Sequence, residues 1–445
     1  MQTTRWAGSL AEVTPPERFP VTRALVFSTL YPNAAQPNHG VFVENRLRET
    51  IAQGGIEATV VAPVPFFPVS HRFFGRYSAF ARAPHHEVRH GLDVWHPRYA
   101  VIPKVGAGWT PETLFRAALR LVRRLQATGE RFEVIDAHYA YPDGVAAARL
   151  GRALRLPVVI TGRGTDLTLV PDDAKARVQI LWAAQEAVAM VTVCEDLRRR
   201  LIALGAPAER TLVLRNGVDL ALFCPRDRTR ARAVLGIEGF TLLCVGSLIP
   251  RKGHDLVLEA LAQLHDCRLL IAGDGPRRAE LEALAKRLGV QDRVRFLGET
   301  PHADLPDLYA AADVLLLPSS REGWANVLLE AMACGTTVVA TDVNGTGEVV
   351  RSHAAGLLMA ERTPQCLIET LGRLRADMPA RADTRRYAEG FGWAAIGRAN
   401  GVLLQAAAAA GFDGRHAPGI LDPVRGLLAE PPSEAPFARA TTTTD

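Results

Sequence analysis

The chain has 445 residues, 48% of them hydrophobic and 22% charged, with a formal net charge of +5. This length exceeds what one ordinary core supports and favours two domains of a soluble globular protein. The positive charge is spread without a lysine-rich block, which argues against nucleic-acid binding and suits an anionic ligand.

The cysteines and the N-terminal residues bear on the cellular compartment of the protein. The six cysteines lie far apart and form no Cys-x-x-Cys pair, which argues against a disulfide framework or a zinc site. Residues 1–20, predicted to be a loose leader, lack the apolar core of a signal peptide. No stretch reaches the roughly 20 apolar residues needed to cross a bilayer. We therefore predict a cytoplasmic protein.

Strands and helices alternate in the first half of the chain. The buried strand RALVFST precedes a turn-rich segment and the helix VFVENRLRETIAQGG. The same alternation continues through EATVVAPV, WTPETLFRAALRLVRRLQATG, FEVIDAH, GVAAARLGRALR and PVVITGRG. It predicts a parallel sheet with helices on both faces, in a first domain over 21–205.

A second alternation follows the turn-rich joint LRNGVDLALFCP. It predicts a second doubly wound domain over 206–380, so the fold class is α/β with two Rossmann-like domains facing a cleft. We expect residues 381–410 to form a helix that returns to the first domain. Residues 411–445 are rich in proline, alanine and threonine and are predicted to be a disordered tail.

Two strand-end segments of the second domain carry candidate ligand-binding residues, because ligands bind beyond the carboxyl ends of parallel strands. In VGSLIPRKG, Arg251 and Lys252 precede a helix and suit a phosphate group, although a solvated basic turn is an equal alternative. The turn IAGDGP lacks the third glycine of a dinucleotide fingerprint, since position 278 is arginine. This argues against a dehydrogenase.

The segment EGWANVLLE places Glu322 in a strand-end loop and Glu330 about one turn into the next helix. Gly323 allows close backbone approach to a ligand, and the helix N-terminus near Asn326 suits a diphosphate. Ionised carboxylates accept hydroxyl hydrogen bonds strongly, so this spacing suits a polyol. The alternative is a buried helix with charged ends.

The order of RNGVD, VGSLIPRKG, AGDGP, FLG, ADVLLLPS, EGWANVLLEAMACG and TTVVATDVNGTGEVV resembles the nucleotide-sugar half of retaining glycosyltransferases of family 4. These enzymes have the GT-B architecture. The resemblance is specific over 210–350 and extends less specifically over 22–205. YPNAAQPNHGVFVENR, VVAPVPFFP and TGRGTDL look like the branch that builds bacterial cell-surface polysaccharides, such as the teichuronic-acid type.

The resemblance implies a role for each matching donor-side residue. Lys252 with Arg251 would bind the donor diphosphate, Glu322 the hydroxyls of the transferred sugar, and Glu330 the ribose. Further residues would complete the donor site, mainly through their backbone: Gly40, Phe296, Leu297, Gly323, Trp324, Ala325, Asn326 and Val327. Family members commonly carry arginine where this chain has Ser247, so Arg251 replaces it or the phosphate site is weaker.

Other candidates have open alternatives. His138 matches the active-site histidine that touches the donor sugar, but a strand-end histidine is often only a satisfied core residue. Arg163 and Asp166 form a local ion pair or reach the acceptor. Asn216 and Asp219 are expected to shape the interdomain turn, since such side chains bond nearby backbone.

The implied reaction moves a hexosyl unit from a UDP- or GDP-sugar to a hydroxyl of a cell-surface polysaccharide or lipid-linked glycan precursor. Substitution would occur on one face of the sugar, and the leaving phosphate would take the acceptor proton. No Asp-x-Asp motif follows a strand, so we predict neither an obligatory metal nor a cofactor. A UDP-sugar 2-epimerase and a non-catalytic sugar-nucleotide binding protein are the alternatives.

Residues 64–91 interleave aromatic residues with arginines and histidines. They form either a loop packed under the first domain or a face that meets a lipid-linked acceptor at the inner membrane surface. Phe73 and Phe74 are the expected centre of that face.

Overall fold

The computed structural model describes residues 21–69, 71, 76–101, 107–417 and 419–427. Two sheets organise them, one in each half of the chain, which confirms the α/β class with two Rossmann-like domains. The leader over 1–20 and the aromatic pair Phe73 and Phe74 lie outside the described residues.

The first domain alternates strands and helices, as the apolar pattern predicts. Its elements are β1 (Thr22–Phe27), α1 (Val41–Ala52), β2 (Ile56–Val61), β3 (Val64–Pro65), α2 (Arg76–Arg82), β4 (His86–Arg89), β5 (Leu92–Trp95), β6 (Arg98–Tyr99), α3 (Thr110–Ala127), β7 (Val134–His138), α4 (Val145–Leu154), β8 (Val158–Gly162), α5 (Thr165–Thr168), α6 (Ala174–Glu186), β9 (Ala189–Thr192), α7 (Glu195–Ala203) and β10 (Thr211–Val213).

The second half continues the alternation and ends in helices. Its elements are α8 (Arg228–Leu235), β11 (Phe240–Val245), α9 (His254–Gln263), β12 (Cys267–Ala272), α10 (Arg278–Arg287), β13 (Val294–Gly298), α11 (Leu305–Ala311), β14 (Val314–Leu317), α12 (Asn326–Ala333), β15 (Thr337–Thr341), α13 (Thr346–Val349), β16 (Gly356–Met359), α14 (Pro364–Ala376), α15 (Arg381–Glu389), α16 (Trp393–Ala410) and α17 (Asp422–Arg425).

Strand order fixes where a ligand can bind. The first sheet has the order β10-β9-β8-β7-β1-β2-β5-β4, and the second has β13-β12-β11-β14-β15-β16. All neighbouring strands are parallel except β4 and β5. The order reverses between β1 and β7 and between β11 and β14, and such switch points open the crevice that holds ligands in doubly wound sheets.

The segment after residue 380 differs from the expected single helix and tail. It forms two helices broken at Gly390–Gly392, and α15 contacts α12 of the second domain while α16 packs on α1 of the first. The prediction of a disordered tail from 411 is wrong for the residues described up to 427. Their apolar side chains Ile420, Leu421 and Val424 are buried with α16 against the first sheet.

Small residues allow α16 to pack closely on α1. A Cβ atom on Gly397 would lie 2.7 Å from a side-chain carbon of Glu49, and Asn400 Nδ2 donates to Thr50 Oγ1 at 3.1 Å. The six cysteines are free thiols. Among the described helices, none is long and apolar enough to cross a membrane.

Candidate active site between the domains

Two strand-end loops of the second domain build a cluster of three charged side chains. The turn after β11 supplies Arg251 and Lys252, and the loop after β14 supplies Glu322. Lys252 Nζ lies 2.7 Å and Arg251 Nη1 3.2 Å from the same oxygen, Glu322 Oε1. Burial raises the pKa of the Glu322 carboxyl, but the two cations outweigh it and hold that pKa below its usual value. The cluster therefore contains an ionised carboxylate held by two cations.

Glu330 is the second carboxylate of this region, and both of its oxygens have partners. Tyr309 Oη donates to Oε2 at 2.9 Å, and His302 Nε2 lies 3.2 Å from Oε1. Burial alone would lower the pKa of His302, but the hydrogen bond and the charge of the adjacent Glu330 carboxylate together outweigh burial and raise that pKa above its usual value. Glu330 is thus fixed in orientation before any ligand binds.

A cavity of about 460 Å³ lies where the two domains meet. Its first-domain wall comes from Asn38 and the start of α1, and its second-domain wall comes from the ends of β11 and β12 and the start of α12. The polar side chains that line it include Asn38, Asn45, Asp219, Ser247, Asp274, Glu299, Thr300, His302, Asn326 and Glu330. Four of them are carboxylates, so the cavity is acidic.

Some of the predicted donor-binding residues line this cavity, and others lie beyond one end of it. Ser247, Asn326, Val327 and Glu330 line the wall. Lys252 reaches its edge, since its Cε lies 3.5 Å from the position of a Cβ on the cavity residue Gly246. The Glu322 cluster thus continues from one end of the acidic cavity.

The predicted base-flanking turn sits differently from the expectation. The Arg278 guanidinium carbon lies over the Phe296 ring, 5.0 Å from the centroid of that ring. The ring also packs against the hydrophobic core of the second domain. Leu297 lines a separate cavity. The cavity wall is instead formed by Glu299 and Thr300, which follow Gly298 at the end of β13.

Gly323 serves a contact between domains in this structure. A Cβ there would come within 2.0 Å of the Arg163 carbonyl oxygen, so only glycine permits the approach. Trp324 and Ala325 are buried beside it, and the Trp324 ring packs near Phe391, as expected of a packing residue. At Gly40, φ is +74° and a Cβ would lie 2.4 Å from the Leu30 carbonyl, which again requires glycine.

His138 does not line the cavity. The ring is 1% exposed, and its Nδ1 and Nε2 lie 2.8 Å from Arg163 Nη2 and 3.4 Å from Asp136 Oδ2. Burial lowers the pKa of His138 to about 4, with Arg163 assisting and Asp136 opposing. His138 is therefore neutral near pH 7, and its ring is held by two first-domain side chains.

Arg163 and Asp166 do not pair with each other through their side chains but bind different groups. Asp166 accepts backbone N–H groups of Ala140, Arg163 and Gly164 at 2.6–3.1 Å, so it shapes the strand-end loop. The Arg163 guanidinium binds His138 and Asn216 instead of Asp166. Both side chains are buried, and neither faces solvent as an acceptor-binding group would.

Several cavity residues were missed by sequence reasoning. Trp393 comes from the start of α16, far along the chain, and Asn38 and Phe42 come from the first domain. Asp219 accepts from the N–H groups of Ala221 and Leu222, as expected of a turn residue, and also lines the cavity. Glu299 directly follows β13, and Asp274 lies two residues after the end of β12. Their positions after strands were the signal available in the sequence.

Comparisons with known proteins cover both domains. The family of glycosyl transferases group 1 matches residues 226–391, and Glycosyltransferase Family 4 matches residues 45–222. A D-inositol 3-phosphate glycosyltransferase of Catenulispora acidiphila is 33% identical over 377 residues, which cover 76% of this chain and 88% of that protein.

Two further proteins resemble the chain over most of its length. The Bacillus subtilis protein named "Putative teichuronic acid biosynthesis glycosyltransferase TuaC" is 28% identical over 79% of this chain and 88% of its own. The sucrose-phosphate synthase of Thermosynechococcus elongatus matches in structure with a TM-score of 0.72 and 23% identity, covering 88% of this chain and all of that one. With the two domain matches, these results show that the chain belongs to the family 4 glycosyltransferases and has the GT-B fold.

Proposed function

We propose that this glycosyltransferase transfers a hexosyl unit from a UDP- or GDP-sugar to a hydroxyl of a cell-surface polysaccharide or lipid-linked glycan precursor, with retention of anomeric configuration. One observation carries the proposal. Lys252 and Arg251 both contact Glu322, and Lys252 lies against Gly246, which lines the acidic cavity. This polarity matches a ligand with hydroxyl and N–H donors at one end and a diphosphate near the other.

The cavity would hold the nucleoside. Glu330 is ionisable, fixed by Tyr309 and His302, and suits two vicinal ribose hydroxyls. Asp274 and Glu299 offer further acceptors to a base that carries N–H groups. No lysine or arginine lines this part of the cavity, so the diphosphate belongs at the Lys252 end.

The cation pair would stabilise the departing diphosphate. Arg251 Nη1 also donates to the Arg321 carbonyl at 2.6 Å, which fixes its guanidinium before reaction. Preorganised charge of this kind is usually the largest catalytic term. We propose that Arg251 supplies the cation that Ser247 lacks, and that the reaction needs no divalent ion.

Retention is proposed from the resemblance to retaining enzymes of family 4, and same-face substitution is proposed as its route because Glu322, Asp136 and Asp166 are not free to act as a nucleophile. Glu322 is neutralised by two cations, and Asp136 and Asp166 are buried in first-domain hydrogen bonds. In same-face substitution the acceptor oxygen bonds to the anomeric carbon as the bond to phosphate breaks. The acceptor proton then passes to the departing phosphate oxygen. Glu322 would orient the sugar hydroxyls.

Incubation with donors labelled in the sugar tests the proposal. A transferase slowly releases free nucleotide and sugar without acceptor, and with a polyprenyl-linked acceptor it gives an α-configured product from an α-configured donor. Isomerised donor would identify an epimerase, and binding without turnover would identify a binding protein. Equal turnover in EDTA and in Mg²⁺ is expected, and strict dependence on Mg²⁺ would contradict the metal-free scheme.

The choice of donor can be narrowed first by a thermal-shift panel of UDP- and GDP-sugars. A ligand at 100 times its Kd stabilises the folded protein by about 2.7 kcal/mol. The donor that gives the largest shift should also be the one that turns over.

A contact with the inner membrane surface is part of the proposal. Phe66 and Trp109 are 62% and 71% exposed on the first domain, at β3 and at the start of α3. The outward face of α3 adds Arg116, Arg120, Arg123 and Arg124, and its single acidic residue, Glu112, already binds Arg116 and Arg149. Exposed aromatic rings beside a basic helix face suit an anionic bilayer.

Flotation with liposomes tests this surface. We expect wild type to float with anionic vesicles at low salt, and Trp109→Ser combined with Arg120→Glu to remain in solution. Val234→Ser, which removes a similarly exposed apolar side chain from the second domain, is the matched control. Equal flotation of all three proteins would remove the membrane surface from the proposal.

A further inference from the structure

A buried chain of polar side chains crosses the junction between the domains at Asn216. This residue follows β10, where the chain passes to the second domain, and is 5% exposed. Its Oδ1 accepts from Arg163 Nη1 at 2.8 Å and from Arg46 Nη2 at 3.0 Å. Its Nδ2 donates to Asn326 Oδ1 at 3.1 Å. One amide therefore joins two first-domain cations to the N-terminus of α12.

The orientation of the Asn216 amide follows from its partners. A guanidinium has only donors, so the atom facing both arginines is the oxygen and the amino group faces Asn326. An amide oxygen that accepts from two cationic groups is held strongly. Asn216 has no second orientation that keeps all three bonds.

Arg163 carries this constraint to His138. Its two terminal nitrogens bind Asn216 Oδ1 and His138 Nδ1, both at 2.8 Å. Because Arg163 can only donate, His138 Nδ1 must accept and the ring proton resides on Nε2, toward Asp136. The tautomer and rotation of His138 are thus set by a guanidinium whose own position depends on Asn216.

The other branch reaches the donor cavity. Asn326 is the first residue of α12 and lines the cavity, and the same helix carries Glu330. The bond from Asn216 Nδ2 to Asn326 Oδ1 therefore holds the start of α12 on the same amide that accepts from Arg163.

We infer that Asn216 is a positioning residue that fixes the orientation of His138 through Arg163 and, by a separate hydrogen bond, holds the N-terminus of the donor helix α12. It does not line the cavity of the candidate site. Its oxygen sets the Arg163–His138 contact, and its amino group ties the same amide to the start of α12 in the second domain. The expected change in kcat rests on a role of His138 in turnover, which the family resemblance implies, but the hydrogen bonds that carry the inference do not depend on that role.

Three variants separate the bond from Asn216 to Arg163 from the bond from Asn216 to Asn326. Asn216→Ala removes both bonds, and we expect kcat to fall about tenfold or more, as for loss of a hydrogen bond to a charged group. Asn216→Asp keeps an oxygen for both arginines, and Asn326 can turn its amide to donate to it, so kcat should stay within about threefold of wild type. Asn326→Ala removes only the donor branch and should raise the donor KM about threefold to tenfold with little change in kcat.

The ring nitrogens of His138 give a readout independent of turnover. In protein labelled with ¹⁵N at histidine, with His138→Gln for assignment, wild type should show a proton fixed on Nε2. Asn216→Asp and Asn326→Ala should keep that tautomer, and Asn216→Ala should show a mixture. If Asn216→Ala does not fold, Asn216→Ser, whose hydroxyl is too short to hold both arginines, takes its place.

Two results overturn the inference: an unchanged His138 tautomer in the folded Ala or Ser variant, or a changed tautomer with unchanged kcat. The first removes the positioning itself. The second removes its role in turnover. If the protein proves to have a different reaction, the tautomer series still decides whether Asn216 holds Arg163 and His138.

Discussion

The two domains hold their charged residues in opposite ways. In the second domain, Glu322, Lys252 and Arg251 gather at loops beside a cavity, and the cations retain exposure of 14–28% in their side chains. In the first domain, Arg46, Asp136 and His138 are each at most 1% exposed and bind only other protein groups. One cluster is open to a ligand, and the other is closed.

This difference suggests that the open cluster serves the reaction and the closed cluster serves the stability of the fold. An open cluster can exchange its internal ion pairs for ligand oxygens at little cost to the fold. A closed cluster cannot, because removing one buried charge leaves its partners unpaired. Substitutions in the second-domain cluster should therefore chiefly change turnover and those in the first-domain cluster chiefly stability, with Asn216 and His138 at the boundary.

The largest effect is expected at the open cluster. Glu322→Gln removes the acceptor for the sugar hydroxyls and Lys252→Met removes a cation from the diphosphate, so each should lower kcat about 100- to 1,000-fold. Steady-state kinetics with the donor chosen by thermal shift measures this. Glu280→Gln, which breaks an exposed arginine pair on α10, is the control and should leave kcat unchanged. Values of kcat near wild type for Glu322→Gln would contradict the site.

The next effect is expected at the closed cluster and concerns folding. Arg46 donates to the carbonyl oxygens of Leu214 and Arg215 and to Asn216, so Arg46→Met leaves three buried acceptors without that donor. We expect a loss of about 3 kcal/mol in the free energy of unfolding. Urea unfolding compared with Arg48→Met, an exposed arginine on the same helix, measures it. Equal midpoints for both variants would show that the cluster contributes little.

The open cluster could be predicted from the sequence, and the closed one could not. Glu322, Glu330, Lys252 and Arg251 stand in strand-end loops of ordered motifs, and parallel sheets bring such loops to one edge. Arg46 lies inside a helix whose apolar spacing says nothing about its partner 168 positions further along the chain. Buried hydrogen bonds between distant segments depend on domain packing, which has no local pattern.

The same limit explains three other differences. The resemblance implied that the backbone of Phe296 and Leu297 flanks the base, but these residues lie within β13, and Glu299, which follows the end of that strand, lines the cavity. The apolar residues Ile420, Leu421 and Val424 were hidden among proline and alanine, so the composition suggested disorder. Trp393 enters the cavity only because α16 crosses back to the first domain.

A smaller effect is expected at Glu330. Glu330→Gln keeps the shape but removes the charge, which should raise the donor Kd about tenfold with kcat nearly unchanged, since the ribose contact is the same in the ground and transition states. Tyr309→Phe removes only the 2.9 Å bond that orients Glu330 and should raise Kd about threefold. Isothermal titration measures both. A loss of kcat larger than the loss of affinity would place Glu330 in the reaction itself.

The smallest effect is a pH dependence of opposite sign in the two domains. His302 has its pKa raised, because burial is outweighed by Glu330. Its contribution to stability is complete below the unfolded pKa of about 6.5 and is lost as pH rises through the folded value. His138 has its pKa lowered to about 4 by burial. It weakens the fold as pH falls below about 6.5, because only the unfolded chain then binds the proton.

Urea unfolding of His302→Gln and His138→Gln against wild type tests both signs. Between about pH 6.5 and 8, the advantage of wild type over His302→Gln should shrink by less than about 1 kcal/mol, since the His302 side chain is partly exposed. Between about pH 6.5 and 5.5, the advantage of wild type over His138→Gln should shrink by about 1 kcal/mol. If both stability differences changed with pH in the same direction, His138 would bind its proton in the folded state. The first-domain cluster would then be open to solvent like the second.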